Sequence, residues 1–527
     1  MNRTRFVAPL LLAAACSYGP HYSLVAPPPE PLELPEGMNT EQYAHQEDNP
    51  FFDAKQAPLS TFSIDVDTAS YANVRRFLSS GARPPKDAVR LEELINYFPY
   101  AYPAPEGTSP FAVHAETLPC PWEPTHRLVK LGLKAREVEA SKRPAANLVF
   151  LLDVSGSMAA PNKLPLLKEA LSLLVKQLRA DDRVAVVVYA GASGLVLPAT
   201  SGRDKPRILS ALEELTAGGS TNGGAGIELA YRVAREQFVP GGINRVILAT
   251  DGDFNVGVSS QGALVRLIEE KAKSGVFLTV LGLGMGNYPA EGVGMARGSM
   301  RAVTHDRSNY KDSTLELLAD KGNGHYAYLD TAREAKKVLV EQASGTLLTL
   351  AKDVKLQVEF NPARVSAYRL LGYENRVLRA QDFNDDRKDA GELGAGHTVT
   401  ALYEVVPVGA GDVGVPTVDP LRYQREGALV GSRELLTVKV RHKAPEGEQS
   451  QLISFPVVDD GRTLEQASRD ARFAAAVAEF GLLLRDSPYK AKASWGGVLA
   501  LAEPAAGDDE YRREFLGLVK QAQQLAE

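Results

Sequence analysis

The feature that most constrains the fold is a regular alternation of two patterns between residues 146 and 343. Short, continuously apolar runs such as NLVFLL, RVAVVVYA and VFLTVLGLG alternate with segments of helical periodicity. One such segment repeats leucine at steps of three and four, at Leu164, Leu167, Leu171, Leu174 and Leu178. Continuous apolar strands separated by amphipathic helices predict a parallel sheet covered on both faces. We therefore predict an α/β domain over residues 143–343, with a doubly wound, mostly parallel sheet.

The pattern differs on either side of this domain. Strand-like and helical segments mix between 58 and 142, which predicts a small α+β N-terminal region. Residues 344–527 alternate like antiparallel strands and then become helical, which predicts a β-rich C-terminal domain with a helical tail. Residues 17–57 are rich in proline and lack periodicity, so we predict an extended tether.

Residues 1–16 have the arrangement of an export signal. Two arginines precede the apolar stretch Phe6–Ala15, which is too short to span a membrane and runs into Cys16. The run LAAAC resembles a bacterial lipobox, which implies that Cys16 is lipidated; an ordinary secretory signal is the alternative. Because residue 18 is Tyr rather than Asp, the resemblance implies an exported protein anchored in the bacterial cell envelope, at the outer membrane.

Composition excludes some partners. The net charge is −6, from 59 basic and 65 acidic residues, and the sequence has no Lys/Arg block, so we expect no nucleic-acid partner. No later run approaches the length of a spanning helix, so membrane attachment would be through the lipid anchor only. If Cys16 carries lipid, Cys120 has no disulfide partner.

Three separated segments of the predicted α/β domain carry oxygen-bearing side chains. DVSGS follows the first strand, AGGSTNGGAG precedes a helix, and TDG ends the fourth strand. Loops at the carboxyl ends of such a sheet converge, so five side chains should meet: Asp153, Ser155, Ser157, Thr221 and Asp251. Hard oxygen donors of low total charge suit Mg²⁺, with Mn²⁺ or Ca²⁺ as alternatives, and the absence of His and Cys argues against zinc.

The order D-x-S-x-S, Thr, T-D-G resembles the metal-ion-dependent adhesion site of von Willebrand factor type A domains, which have a Rossmann-like fold. The resemblance implies that the serines and the threonine bind the ion directly and that at least one aspartate acts through water. It also implies that a protein ligand presenting an acidic residue completes the coordination. The implied class is an adhesion or assembly module and not an enzyme, so no catalytic residue is predicted. The flanking segments 62–78 and 381–404 are similar to a family of exported bacterial proteins with this domain.

Alternatives stay open at three places. The first is a scaffold whose metal site is vestigial. The second is a metal-dependent phosphatase-like hydrolase that uses DVDTAS (65–70); the competing interpretation is that Asp65 and Asp67 cap a helix and hydrogen-bond locally. The third is DFNDDRKDAGEL (382–393), which has part of a calcium-loop pattern but is better explained as a solvated acidic loop. Residues 289–307 are predicted to be an inserted surface loop beside the metal.

Overall fold

The computed structural model describes residues 41–190, 193–218, 223–252, 261–284, 310–411, 415 and 431–527. The strands are β1 (Phe52–Asp53), β2 (Leu59–Ser63), β3 (Phe111–Pro119), β4 (Arg127–Ala135), β5 (Ala146–Asp153), β6 (Arg183–Tyr189), β7 (Ser193–Ser201), β8 (Ile243–Thr250), β9 (Phe277–Leu283), β10 (Tyr326–Leu329), β11 (Thr349–Phe360), β12 (Val365–Leu371), β13 (Gly391–Gly394), β14 (Thr398–Pro407), β15 (Glu434–Lys443) and β16 (Gln451–Val458). The α-helices are α1 (Ala69–Ser79), α2 (Leu91–Asn96), α3 (Leu164–Lys176), α4 (Lys205–Glu213), α5 (Gly223–Glu236), α6 (Gln261–Ala272), α7 (Asp312–Lys321), α8 (Ala332–Lys336), α9 (Ala343–Leu347), α10 (Arg469–Arg485), α11 (Trp495–Ala506) and α12 (Glu510–Gln524).

The central sheet has the order β10-β9-β8-β5-β6-β7 and is parallel except for the edge strand β7. Side chains of β5 alternate between two cores. Leu148, Phe150 and Leu152 pack with the leucines of α3, whereas Val149 and Leu151 pack with the apolar face of α5. Both faces of the sheet are therefore covered, and the predicted doubly wound, mostly parallel α/β fold is confirmed.

Strand β7 was not predicted from the sequence. It pairs antiparallel to β6 and contains Pro198. Proline cannot donate a backbone hydrogen bond and is tolerated in a strand mainly at a sheet edge. The proline that obscured the strand pattern thus fits the position that β7 occupies.

The N- and C-terminal flanks share their sheets. One sheet has the order β1-β12-β14-β4-β3, so β14 pairs with β4, and Ala401 lies opposite Leu131. In the other, β2 pairs with β11 of the order β13-β11-β15-β16. Apolar side chains from both sheets form one core. The ranges 58–142 and 344–527, predicted as separate domains, are thus joined by strand pairing across the central domain, which leaves no local sequence signal.

Part of the predicted tether lies against the folded chain. Glu41 forms an ion pair with Arg76 at 3.0 Å, and Asn49 Nδ2 donates to the carbonyl of Gly372 at 2.8 Å. Ala54 is fully buried. Residues 41–57 therefore pack on the fold, and a tether would be limited to residues before 41, which lie outside the described part.

The C-terminal tail is helical, as predicted, and has three helices where two were expected. The predicted apolar face of α10 is buried, and α12 buries Phe515, Leu518 and Ala522. The unpredicted helix α11 begins WGG and contains Pro504, residues that weaken a helix pattern. Among the described residues, no helix is long and apolar enough to cross a membrane.

Candidate metal site

The first part of the candidate site lies where β5 and β8 end side by side. Leu152 pairs with Ala249, so Asp153 and Thr250 emerge next to each other at the carboxyl edge of the sheet. Thr250 Oγ1 donates a hydrogen bond to Asp153 Oδ2 at 3.1 Å, and the backbone N–H of Gly252 donates to Thr250 Oγ1 at 3.1 Å. Gly252 has φ +90°, which turns the chain directly after Asp251.

The second part is the turn that follows β5. The backbone N–H of Ser155 donates to Asp153 Oδ1 at 2.9 Å, which fixes the carboxylate from its other side. A short 3₁₀ turn over Gly156–Ala159 then brings Ser157 Oγ within 3.0 Å of Ser155 Oγ. Met158 is fully buried and anchors this turn in the core below. Two hydroxyls and one carboxylate therefore share the same loop.

The geometry of these oxygens fits a small divalent cation. Adjacent ligands of octahedral Mg²⁺, each at 2.0–2.1 Å, lie about 2.9 Å apart, close to the 3.0 Å between the two serine oxygens. Burial and the nearby Asp251 carboxylate raise the pKa of Asp153 to about 6. A cation between the carboxylates would relieve that unfavourable charge. The donor set, two carboxylates and two hydroxyls, suits Mg²⁺ or Mn²⁺.

The described residues include most of the predicted ligands. Four of the five predicted ligands, Asp153, Ser155, Ser157 and Asp251, lie at this edge of the sheet. Thr221 lies outside the described residues, as do Cys16 and the predicted loop 289–307. Metal binding by the set of five therefore stays a prediction.

The structure adds a residue that the sequence analysis missed. Lys163 precedes α3, and its Nζ lies 3.1 Å from Asp251 Oδ2, with both side chains about 7% exposed. A lysine in the turn APNKLP looks like an ordinary surface residue, since no local pattern marks it as buried. The candidate metal site therefore also contains an ammonium group.

The DVDTAS segment has a structural role in the described chain. Asp65 and Asp67 are both about 5% exposed or less. Arg376 Nε lies 3.0 Å from Asp65 Oδ2, and the backbone N–H of Tyr326 donates to Asp67 Oδ1 at 2.7 Å. The predicted helix capping is wrong, because Thr68 precedes α1 and makes no side-chain cap, although Asp65 does accept locally from the N–H of Asp67. Both carboxylates are held by internal partners.

A second group of acids lies around Asp65. Carboxylate oxygens of Asp65, Glu93 and Glu316 lie within 4.8 Å of one another and are buried. Two guanidinium groups pair with them: Arg90 lies 2.7 Å from Glu93 and 2.9 Å from Glu316, and Arg376 lies 3.0 Å from Asp65. We call these five residues the junction cluster. Its three acids are therefore held by ion pairs within the chain.

Two other candidates are explained by their surroundings. Within 382–393, Asp385 pairs with Arg387 at 3.0 Å and residues 386–389 are exposed, as expected of a solvated loop. Asp382 is instead 5% exposed and pairs with Arg379 at 2.9 Å, and the last residues belong to β13. Cys120 is a buried free thiol, and burial raises its pKa well above the usual range. Such a thiol is inert.

Family comparisons cover most of the chain. Residues 148–253 match the model described as von Willebrand factor type A domain, and residues 37–130 match one described as von Willebrand factor. Residues 345–525 match the model described as Uncharacterized protein YfbK, C-terminal. The first of these ranges contains the whole candidate site.

The chain is also similar to individual proteins. The chain is 44% identical to Uncharacterized protein YfbK of Escherichia coli (strain K12) over 495 residues, which is 92% of this chain and 81% of that protein. Among solved structures, it is similar to a von Willebrand factor type A protein from Catenulispora acidiphila, at 17% identity and TM-score 0.41, over 78% of this chain and 89% of that one. It is also similar to an aerotolerance-related membrane protein from Bacteroides fragilis, at 27% identity and TM-score 0.30, over 37% of this chain and 98% of that one.

Proposed function

Because this chain belongs to the YfbK family of von Willebrand factor type A proteins, we propose that it is a divalent-metal-dependent protein-binding module on the bacterial cell envelope, acting in adhesion or assembly. The single observation that carries the proposal is the convergence of Asp153, Ser155, Ser157 and Asp251 at one edge of the sheet. Type A domains commonly mediate protein interactions rather than catalysis.

Each residue has a defined task in this proposal. Ser155 and Ser157 present hydroxyl oxygens at the spacing of adjacent cation ligands, and Thr221 would supply a third hydroxyl. The Asp153 carboxylate is oriented by Thr250 and by the N–H of Ser155, so it offers negative charge in a fixed direction. The bound cation supplies an electrophilic position that a partner carboxylate can fill. We propose Mg²⁺ as the ion, with Mn²⁺ or Ca²⁺ as alternatives.

The location is part of the proposal. We propose that the protein is exported and held by lipid on Cys16, at the outer membrane. Palmitate labelling of cells that express the wild type and Cys16→Ala would test this directly, with envelope fractionation to place the protein. Labelling that survives the substitution would contradict the anchor.

Metal binding is tested first on the purified protein. A cation that binds the folded state only, at about 100 times its Kd, stabilises the fold by about 2.7 kcal/mol. Mg²⁺ or Mn²⁺ should therefore raise the Tm of the wild type, and Asp153→Ala should abolish the rise. Asp181→Ala is the matched control, since Asp181 lies in the same domain and its side chain is 59% exposed. An unchanged rise in Asp153→Ala would refute the site.

Partner binding is tested next. Envelope extract is passed over immobilised wild type and Asp153→Ala, each with Mg²⁺ and with EDTA. Proteins retained only by the wild type with Mg²⁺ would support the proposal, and blocking their carboxyl groups should prevent retention. A vestigial site predicts that the four conditions retain the same proteins and that Mg²⁺ leaves the Tm unchanged.

The phosphatase alternative makes a different prediction. It requires phosphate release that is lost in Asp65→Asn and retained in Asp153→Ala. The burial of Asp65 and its ion pair with Arg376 do not favour it. We expect no phosphate release from p-nitrophenyl phosphate by the wild type in the presence of Mg²⁺.

A further inference from the structure

Lys163 lies next to Asp251 in the candidate metal site. Its Nζ lies 3.1 Å from Asp251 Oδ2, and the side chains of both residues are about 7% exposed. A pair with so little solvent around it interacts more strongly than a surface pair. The ammonium is therefore a lasting part of the electrostatics at this edge of the sheet.

The chain is built to hold this lysine. Gly284 follows β9 with φ +73°, and a Cβ at that position would overlap the side-chain carbons of Lys163. The hydroxyl of Tyr328 donates to the carbonyl of Gly284 at 3.2 Å, which fixes the backbone beneath the lysine. Three strand ends thus form the site: β5 and β8 supply the carboxylates, and β9 supplies the space for the ammonium.

The net formal charge of the site changes sign when a divalent cation binds. Asp153 and Asp251 together carry two negative charges, and Lys163 carries one positive charge. Adding a divalent cation changes the sum for these groups from −1 to +1. A net charge in a largely buried place is unfavourable unless a counter-charge is supplied. A carboxylate from outside the chain restores neutrality, whereas without Lys163 the loaded group would already be neutral.

We propose that Lys163 determines the preference of the metal-loaded site for an acidic partner group. This inference rests on the proposed function. It has a distinctive consequence, because the same charge acts in opposite directions on the two ligands. Lys163 repels the cation when the cation binds alone, and it attracts the carboxylate once the cation is in place.

The experiment measures Mn²⁺ binding to the full chain by calorimetry, in chloride and in acetate at equal ionic strength. Acetate is the carboxylate probe, and water proton relaxation reports whether it displaces water from Mn²⁺. For the wild type, acetate should tighten Mn²⁺ binding several-fold. Lys163→Met should bind Mn²⁺ alone about tenfold more tightly, as expected for removal of one nearby positive charge, and should lose the acetate effect.

Control variants separate charge from packing. Lys168→Met is the matched control, because Lys168 lies on α3, which begins directly after Lys163, and its Nζ donates to the backbone carbonyl of Glu213, away from the site; it should behave as the wild type. Lys163→Gln is a second neutral variant in case the methionine variant folds poorly, and it should reproduce both effects. Lys163→Arg, which keeps the charge, should retain the acetate effect.

The outcomes are distinguishable. An acetate effect that survives in Lys163→Met and Lys163→Gln would overturn this inference alone. It would not contradict the proposed metal site. Weaker binding of Mn²⁺ by both neutral variants would also overturn it, since it would show that Lys163 only positions Asp251. If the wild type binds no Mn²⁺ in either salt, the proposed function fails, and this inference fails with it.

Discussion

Replacing Arg376 by methionine should destabilise the whole fold, because this residue joins all three parts of the chain. Arg376 follows β12 in the C-terminal part, and its side chain is 11% exposed. It lies 3.0 Å from Asp65 in the N-terminal part and 3.7 Å from Glu316 on α7 of the central domain, and it also pairs with Asp320 of α7. Methionine keeps much of the volume and removes the charge.

The magnitude follows from the burial of these partners. Removing one member of a buried ion pair leaves an uncompensated buried charge and typically reduces the free energy of unfolding by about 3–5 kcal/mol. Asp65 is 5% exposed and Glu316 is 7% exposed, so water cannot replace the guanidinium without rearrangement. At a urea m-value of about 3 kcal/mol/M, a loss of about 4 kcal/mol lowers the unfolding midpoint by more than 1 M.

The assay is urea unfolding followed by tryptophan fluorescence, with circular dichroism as a second probe; of the two tryptophans, Trp122 is fully buried and Trp495 is partly buried. Arg387→Met is the control, because its side chain is 90% exposed and pairs only with Asp385 among the described residues; it should change the free energy of unfolding by less than about 1 kcal/mol. Equal midpoints for the two variants would refute the reasoning. Adding Asp65→Asn to Arg376→Met should recover part of the loss.

Three further predictions concern other parts of the molecule. Burial raises the pKa of Glu479 to about 7 from an ordinary 4.5; the unfolded chain therefore loses its proton first as pH rises, and stability falls by roughly 3 kcal/mol between pH 4.5 and 7. Glu479→Gln, which can still accept from the N–H of Ser494, should remove this part of the decline in urea midpoints measured at pH 5 and 8, and an unchanged decline would contradict the assignment. Leu171→Ala should lower the free energy of unfolding by about 2–5 kcal/mol, because Leu171 is fully buried under β5; a loss below about 1 kcal/mol would count against the packing. Ser157→Ala should weaken Mn²⁺ binding measured by calorimetry while leaving the urea midpoint without metal nearly unchanged, since Ser157 is only half-buried.

Most of the candidate site could be predicted from the sequence. Asp153 and Asp251 could be placed together in advance, because each follows an apolar strand and the carboxyl ends of parallel strands share one edge. Ser155 and Ser157 belong to the same turn as Asp153, so the proximity of the three side chains also follows from the local sequence. Lys163 could not be found this way, since its burial depends on Gly284, which arrives from another strand.

The partners of the DVDTAS segment could not be predicted from the sequence. The sequence pattern is typical of a strand that ends in two acids, and both a helix cap and a phosphatase nucleophile were compatible with it. The structure assigns Asp65 to Arg376, a residue more than 300 positions later in the chain. No local pattern predicts an ion pair at that separation, because the pair is created by the packing of three segments.

The sequence by itself determined the central α/β fold and the set of candidate metal ligands. Strand and helix periodicities indicate which side chains of an element face the core, and each periodicity is contained within one short segment of the sequence. Only the tertiary structure decided that the two flanks share their sheets, that the acids of the junction cluster pair with arginines, and that Lys163 faces Asp251. Each of these depends on charge or backbone pairing between distant segments, which becomes defined only when the segments pack together.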